Sequence, residues 1–520
     1  MAQAIQDPTA PAPALHALEG KTFFGHPRGL ATLFFTEIWE RFSYYGMRAI
    51  LILFMTTTLA EGGLGFNASQ AGAIYGIYVS LVYLLSLPGG WVADRILGAR
   101  RSVLLGGIVI MFGHICLAFP MLPTFYAGLG LIVIGTGLLK PNISTMVGQL
   151  YGPDDARRDA GFSIFYMGIN IGAFVSPIVC GTLAEGKAFR SFLAGLGLAP
   201  EHAWHFGFGA AAVGMLLGVI QYSLGSRHLG NAGVLPNTPE AVAGRAGEKT
   251  KLLIAVAVIA TLLLGFAGLV SSGAIRTSAE KISDGFGLFL TVVVVGFFGW
   301  GFFLAKWTPA ERRRFMVIFV LFIASTIFWA GFEQAGGTLN LFAKNDTDNH
   351  FFGIEYPASW LQSPQAAFIV ALAPVFAWFW LRLGRRDPSS PTKFALGLAF
   401  MGLGFLILVP AAGISAGGTK VSPMWLVTTY LLHTFGELCL SPVGLSAYTR
   451  LAPARVASLM MGVWFLTISV GGYIGGRVAG LYESVPVPTL FMICGATGVV
   501  AALLLTTLIG PIRRMLEKQA

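Results

Sequence analysis

The stretch EIWERFSYYGMRAILILFM, residues 37–55, decides how this chain can fold. Its second half is as apolar as the interior of a bilayer, yet Glu37, Glu40, Arg41 and Arg48 lie within it. A charged side chain inside a membrane is costly, and it normally faces a partner or a water-filled cavity. At 100° per residue the four charges, together with Tyr44 and Tyr45, fall within an arc of roughly 140° on one helix face. We therefore expect this face to line a cavity or to pair with another helix.

The composition is typical of a membrane protein. Of 520 residues, 55% are hydrophobic and 11% are charged, and the mean hydropathy is +0.72, whereas soluble domains carry about 25% charged residues. The net charge of +10 does not indicate nucleic-acid binding, because the basic residues form short runs between apolar segments. The four cysteines all lie inside apolar segments without CxxC spacing, so neither a disulfide, a metal site nor a cofactor is expected.

Fourteen apolar segments are long enough to cross a bilayer, which requires about 20 helical residues. Most of the 34 Lys and Arg residues lie in the connections on one side of these segments, so the positive-inside rule places both termini in the cytoplasm. The predicted spans are 29–57, 68–93, 102–121, 125–149, 161–183, 204–225, 251–271, 286–305, 315–342, 361–381, 394–412, 424–449, 457–480 and 487–510.

The spans divide into two sets of six with an extra pair between them. The only long connection on the cytoplasmic side follows the sixth span, and the two spans after it contain almost no charge. We therefore predict an all-α polytopic membrane protein with the major facilitator fold, six plus six helices and an inserted hairpin. The predicted parts are a cytoplasmic tail at 1–28, an N-terminal bundle at 29–226, a linker at 227–250, the hairpin at 251–306, a C-terminal bundle at 307–512 and a second cytoplasmic tail at 513–520.

The loop GGWVADRILGARR, residues 89–101, resembles the loop signature of the major facilitator superfamily. Asp94, Arg95, Arg100 and Arg101 are expected to form a charged latch between helices that is released when the halves move. The alternative is an ordinary basic turn that obeys the positive-inside rule.

Four ionisable residues in spans of the two halves fall at matching depths. Arg48 and Glu333 lie similar distances past the cytoplasmic ends of spans that rise, and Lys140 and Glu437 lie similar distances along spans that descend. We expect an outer pair, Arg48–Glu333, and an inner pair, Lys140–Glu437, that alternately close the two ends of a central cavity. The alternative is that these pairs only fix helix register.

Several motifs resemble one transporter family. EIWERFSYYG at 37–46 matches the ExxERFxYYG signature of the proton-coupled oligopeptide transporters, the POT or PTR family of the major facilitator superfamily. FYMGINIG at 165–172 matches the second signature, and FEQ at 332–334 and GELCLSPVGLS at 436–446 also match. The resemblance covers the whole chain. The inserted hairpin and the short outer loop at 412–423 are typical of prokaryotic members.

The resemblance implies a proton-driven symporter that imports di- and tripeptides by alternating access through the inner membrane of a bacterium. We expect a monomer with both termini cytoplasmic. Proton coupling would use Glu37, Glu40 and Arg41, and Glu437 would bind the peptide amino terminus, opposite a positive end for the carboxylate. The substrate-binding residues implied are Arg41, Tyr45, Arg48, Tyr83, Lys140, Asn170, Trp329, Glu333, Glu437, Ser441 and Trp464. Gln365 stands where many members have Asn, so the contact made there is in doubt.

Other functions stay open at this point. The solute could be nitrate or a peptide-like drug rather than a peptide, or the chain could be an ion-gated channel. A membrane-embedded hydrolase would need a nucleophile with a base, or HExxH-like metal spacing. The sequence contains neither pattern, so no enzyme activity is expected.

Overall fold

The computed structural model describes residues 22–152, 154–236, 238–351, 353–452 and 457–517. Residues 1–21 and 518–520 of the two predicted tails lie outside this part of the chain. The α-helices are α1 Arg28–Thr56, α2 Ala68–Leu84, α3 Ser86–Val92, α4 Ala99–Leu117, α5 Leu122–Gln149, α6 Arg158–Glu185, α7 Lys187–Gly195, α8 Ala203–Gly225, α9 Pro239–Ser271, α10 Ala279–Gly299, α11 Pro309–Phe332, α12 Thr338–Asn345, α13 Ser363–Leu383, α14 Ser390–Ala416, α15 Met424–Leu451, α16 Ala457–Ala479 and α17 Val487–Glu517. Two short strands, β1 His350–Phe351 and β2 Ile354–Glu355, form an antiparallel hairpin before α13.

Long helices coincide with all fourteen predicted spans. Twelve helical stretches in the described residues are long and apolar enough to cross a membrane. The other two are α1 and α15, of 29 and 28 residues, and their hydropathy is lowered by charged residues such as Glu37, Arg41 and Glu437. The all-α polytopic fold is therefore confirmed. We use "outer" for the end of the molecule where α1 finishes and α2 begins, and "inner" for the opposite end.

Polar caps explain where several helices begin. Asn67 precedes α2, and its side chain accepts a hydrogen bond of 2.8 Å from the backbone N–H of Gln70. Thr308 and Glu311 form a reciprocal capping box at the start of α11, with Pro309 at the first helical position. Such side chains satisfy N–H groups that have no partner within the helix.

Two predicted spans are interrupted. The predicted span 315–342 ends as a regular α-helix at Phe332, continues as a 3₁₀ turn and resumes as α12, because Gly337 adopts a non-helical conformation. The interruption places Glu333 at a helix end inside the molecule. The predicted span 68–93 divides at Leu85, where Pro88 has no N–H to donate to the preceding turn.

Two other elements differ from the sequence-based expectation. The hairpin helix α9 begins at Pro239 rather than at 251, so the second half of the predicted linker is helical. The outer connection after α6 contains the short helix α7, which was not predicted. Neither segment has a long apolar run, which was the signal used to locate helices.

The helices pack into two sets that meet along two seams. In the first set α1 packs on α6 and α8, and α4 packs on α5 and α8. In the second set α14 packs on α15 and α17, and α11 packs on α16. The seams are formed by α2 with α16 and by α6 with α13. The hairpin helix α10 packs against α2. This arrangement fits six plus six helices, and the exact division of the chain stays a prediction.

Glycines allow α2 and α16 to approach closely. A Cβ added at Gly72 would overlap the backbone of Gly476 and Gly480, and a Cβ added at Gly476 would overlap the backbone of Gly76. Small residues at such crossings let helix backbones pack directly in a membrane.

We predict that Gly476→Ala lowers the midpoint of thermal unfolding of the purified protein, because overpacking a tight contact costs about 1–3 kcal/mol. Gly268→Ala on α9 is the matched control, since a Cβ there meets nothing within 4 Å and alanine favours helix. A Gly476→Ala protein as stable as the Gly268→Ala protein would contradict the close approach.

Candidate functional site

The charged face of α1 is buried inside the molecule. Glu37, Glu40 and Arg41 are at most 3% exposed. The Arg41 guanidinium pairs with both carboxylates, and its Nε lies 3.1 Å from Glu37 Oε1. The same guanidinium lies over the rings of Tyr44 and Tyr45, at 5.3 and 5.9 Å from the centroids. One positive charge is therefore shared by two carboxylates, which leaves one carboxylate in excess.

Arg48 forms an ion pair across the two sets of helices. Its Nη2 lies 3.0 Å from Glu333 Oε2, and both side chains are buried. Its Nε donates a hydrogen bond of 2.9 Å to the hydroxyl of Tyr75 on α2. The contact expected from matching depth is present, and its action as an outer gate stays a prediction.

Lys140 and Glu437 lie at the same cavity but do not pair with each other among the described residues. The Lys140 ammonium rests instead 3.8 Å from the centroid of the Tyr83 ring. Within the described part of the chain, Oε2 of Glu437 is buried without a hydrogen-bond partner. The predicted inner pair is thus open in this structure while the outer pair is closed.

A central cavity of about 210 Å³ lies between the two sets of helices. Its predicted site residues are Glu37, Arg41, Tyr45, Arg48, Lys140, Asn170 and Glu437. Gln362 and Gln365 also line it, and Nε2 of Gln365 has no hydrogen-bond partner in the described structure. Gln365 therefore reaches the cavity although it replaces the expected Asn. Tyr166 is a further lining residue that was not predicted, although its position in the second signature motif could have indicated it.

Several predicted substrate-binding residues lie outside the lining of this cavity. Trp329 and Trp464 are buried and pack edge to face, with ring centroids 6.2 Å apart. Ser441 Oγ is buried, and no partner for it is found in the described residues. Tyr83 and Glu333 contact Lys140 and Arg48, respectively, which do line the cavity. The cavity is thus lined by fewer of the predicted substrate-binding residues than the sequence led us to expect.

Polar contacts join the two sets of helices near the outer end. Asn340 Nδ2 on α12 donates 2.8 Å to the carbonyl of Ala49 on α1. Ser363 Oγ on α13 donates 2.8 Å to the carbonyl of Phe174 on α6. The Ser359 backbone N–H donates to Glu185, the last residue of α6. These contacts and the Arg48–Glu333 pair join the two helical sets on the outer side of the cavity.

The predicted latch residues lie at the inner surface. Arg100 Nη1 donates 3.0 Å to the carbonyl of Gly230, and its Nη2 donates to the carbonyl of Ser226, so it fixes the chain that follows α8. Asp94 and Arg95 are exposed beside the start of α9. Arg101 is exposed on α4. The structure shows the clamp made by Arg100, and release of a latch during transport stays a prediction.

Two helical sets that enclose a charged cavity inside a membrane define a secondary transporter of the major facilitator type. Residues 100–498 match the sequence profile of the POT family. The chain therefore belongs to the POT family, whose members are transporters and not enzymes. In the described residues no group of three or more His, Cys, Asp and Glu could hold a metal ion.

Relatives of similar length support this assignment. The chain is 43% identical over 499 residues to "Uncharacterized transporter YclF" of Bacillus subtilis (strain 168), covering 96% of both chains. It is 38% identical to "Di-/tripeptide transporter" of Lactococcus lactis subsp. cremoris, covering 95% of this chain and 98% of the relative. A crystal structure of peptide transporter POT in complex with sulfate is 42% identical, has a TM-score of 0.85, and is matched over 95% of this chain and 97% of that one.

We predict that Glu333→Ala destabilises the folded protein strongly, because a buried charge that loses its partner costs about 3–5 kcal/mol. Thermal unfolding in one detergent would measure the loss. Adding Arg48→Met should recover most of it, since neither charge is then buried alone. Glu355→Ala is the control, because it breaks the exposed Lys187–Glu355 pair, and such pairs contribute about 0–1 kcal/mol. Equal losses for Glu333→Ala and Glu355→Ala would contradict the burial of the Arg48 charge that Glu333 neutralises.

Proposed function

We propose that the chain is a proton-driven symporter that imports di- and tripeptides by alternating access. One observation carries the proposal: a single cavity is lined by Glu437 on one helical set and by the cations Arg41 and Lys140 on the other, and Oε2 of Glu437 has no hydrogen-bond partner in the described residues. A peptide is a zwitterion, so its amino terminus and carboxylate need opposite charges at opposite ends of a site. Charge-assisted hydrogen bonds would supply both binding energy and orientation.

Peptide substrates are supported by the relatives. One relative is named a di-/tripeptide transporter, and a solved structure is named a peptide transporter. The cavity also contains the amides of Gln362, Gln365 and Asn170. Amide side chains can both donate to and accept from a peptide bond without selecting a side chain, which fits a site that accepts many sequences.

Proton coupling would occur at the α1 cluster. Because Glu37 and Glu40 share one guanidinium, one carboxylate always lacks a full counter-charge in a dry environment. Binding a proton would remove this excess charge and change how Arg41 is held. Arg41 also lines the substrate cavity, so the proton and the peptide carboxylate would act on the same guanidinium.

Alternating access would use the two cross-set pairs. With Arg48–Glu333 closed and Lys140 and Glu437 apart, the structure has the features expected of an inward-facing state. Closure of the inner pair would accompany opening of the outer pair. We propose that the protein works as a monomer in the inner membrane, with both termini cytoplasmic and import driven by the inward proton gradient.

The coupling hypothesis predicts two separable activities. In proteoliposomes with an alkaline interior, the parent protein should accumulate labelled dialanine above equilibrium. Glu37→Gln and Glu40→Gln should keep counterflow exchange of dialanine and lose this accumulation, because exchange needs no net proton movement. Equal accumulation by the parent with and without the pH gradient would refute proton coupling.

The binding hypothesis predicts that Glu437→Gln and Lys140→Ala lose both uptake and counterflow. Each removes one charged contact, and hydrogen bonds to charged groups contribute about 1.5–3 kcal/mol, or roughly 10–150-fold in affinity. Binding of dialanine by calorimetry would report the change directly. Lys420→Ala, at an exposed outer position, is the control and should bind and transport as the parent does. Parent-like affinity in both site variants would rule out this orientation of the peptide.

A further inference from the structure

A second cavity lies between the inserted hairpin and the N-terminal helical set. It has a volume of about 490 Å³ and is lined by Ile74 and Leu81 of α2, Leu129 and Val133 of α5 and Ile282 of α10, with residues 277–279 at its edge. Its lining shares no residue with the central cavity. The cavity is mostly apolar and no charged residue lines it, so it offers no partner for the charges of the zwitterionic solute proposed above.

The position of this cavity determines what can enter it. Its walls belong to the outer half of α5, to the part of α2 between Ile74 and Leu81, and to the first turn of α10. Tyr126 and Ile282 line it and are 46% and 43% exposed, so the opening faces the hydrocarbon of the bilayer. Molecules that reach the opening through the hydrocarbon are lipids, and the outer end of the cavity lies where their headgroups begin.

Two cations flank the residues at the edge of the cavity. Arg276 and Lys281 are exposed, and neither has an ion pair in the described structure. The neighbouring acid Asp284 is already paired with Arg477 at 2.9 Å. Glu280 lies in the first turn of α10, where the helix dipole stabilises a negative charge. Arg276, Lys281 and Arg477 thus outnumber the acids Glu280 and Asp284 by one, so this edge is positive overall.

We propose that this cavity binds an anionic phospholipid of the outer leaflet. One acyl chain fills the apolar volume between α2, α5 and α10, and the phosphate contacts Arg276 and Lys281. Basic residues at a membrane surface attract anionic headgroups, and burial of the acyl chain supplies the apolar contact. Lipid binding at this site does not rest on the transported solute or on proton coupling.

The bound lipid would complete the attachment of the hairpin. On its other side α10 is fastened to α16, where Tyr473 donates a hydrogen bond of 2.9 Å to the carbonyl of Ser283 and Arg477 pairs with Asp284. An acyl chain in the cavity would add contacts between α10 and both α2 and α5. The hairpin would then be held to both helical sets at the outer end.

Filling the cavity with a side chain tests the acyl-chain part of the proposal. Gly130 lines the cavity, and a Cβ added there meets nothing within 4 Å. Gly130→Leu should occupy the volume without a clash and reduce retention of dioleoyl phosphatidylglycerol at least several-fold, as counted by native mass spectrometry of the delipidated protein after titration. Gly265→Leu on the exposed helix α9 is the matched control and should retain the lipid as the parent does. Equal retention in the Gly130→Leu protein would overturn the proposal.

A second variant tests the headgroup part and changes only exposed side chains. The double variant Arg276→Gln, Lys281→Gln should lose the preference of the parent for phosphatidylglycerol over phosphatidylcholine with the same acyl chains. Its binding of phosphatidylcholine should stay unchanged, because the apolar cavity is intact. A preserved preference would show that the anionic headgroup is bound elsewhere. Inorganic phosphate should not displace the lipid, and displacement would show that a free anion is the ligand, which also overturns the proposal.

Discussion

The rest of the structure depends on the ion pair between Arg48 and Glu333, because it is buried and joins the two helical sets. In a low-dielectric interior either charge alone is expensive, and the pair is close to neutral in free energy. The surrounding backbone is built around it. A Cβ on Gly336 would lie 2.8 Å from Arg48 Nε and would overlap the Tyr75 hydroxyl. The interruption of the helix after Phe332, with glycine at 336 and 337, therefore lets the two charges meet.

On the inner side of the cavity, the charged residues are held by weaker contacts than the Arg48–Glu333 ion pair. The Lys140 ammonium lies on the Tyr83 ring, and a cation–π contact contributes about 0.5–2 kcal/mol. Oε2 of Glu437 is buried without a hydrogen-bond partner in the described residues. A ligand that brings its own two charges can displace the first contact and satisfy the second. A site whose charges are held this weakly favours a charged solute without a large penalty for releasing it.

Simple counting along helices predicted the depth of the charged residues. A rise of 1.5 Å per residue is nearly invariant, so Arg48 and Glu333 could be placed level from their distances to basic residues at helix ends. The length of helix needed to cross a bilayer likewise allowed fourteen apolar segments to be identified as spans. The interruption at residues 333–337 could not be placed in this way, because it follows from tertiary packing around Arg48.

Rotation and lateral position were harder to predict than depth. The family resemblance implied Trp329, Trp464 and Ser441 as binding residues, yet they are absent from the cavity lining, because neighbouring side chains decide which arc of each helix faces it. Gln365 shows the reverse: its identity departs from the motif, but its helix α13 still directs it inward. The family motifs carried the functional assignment, since composition and periodicity alone define only a polytopic membrane protein.

The hairpin contacts constrain how the two helical sets can move. Helix α10 packs on α2 of one set and is bonded to α16 of the other at Tyr473 and Arg477. The seam between α2 and α16 is itself a direct backbone contact at Gly76 and Gly476. If the outer end opens by separating these sets, α10 must lose contacts with at least one of them. The hairpin would therefore oppose such an opening, and a lipid bound beside it as proposed above would oppose it further.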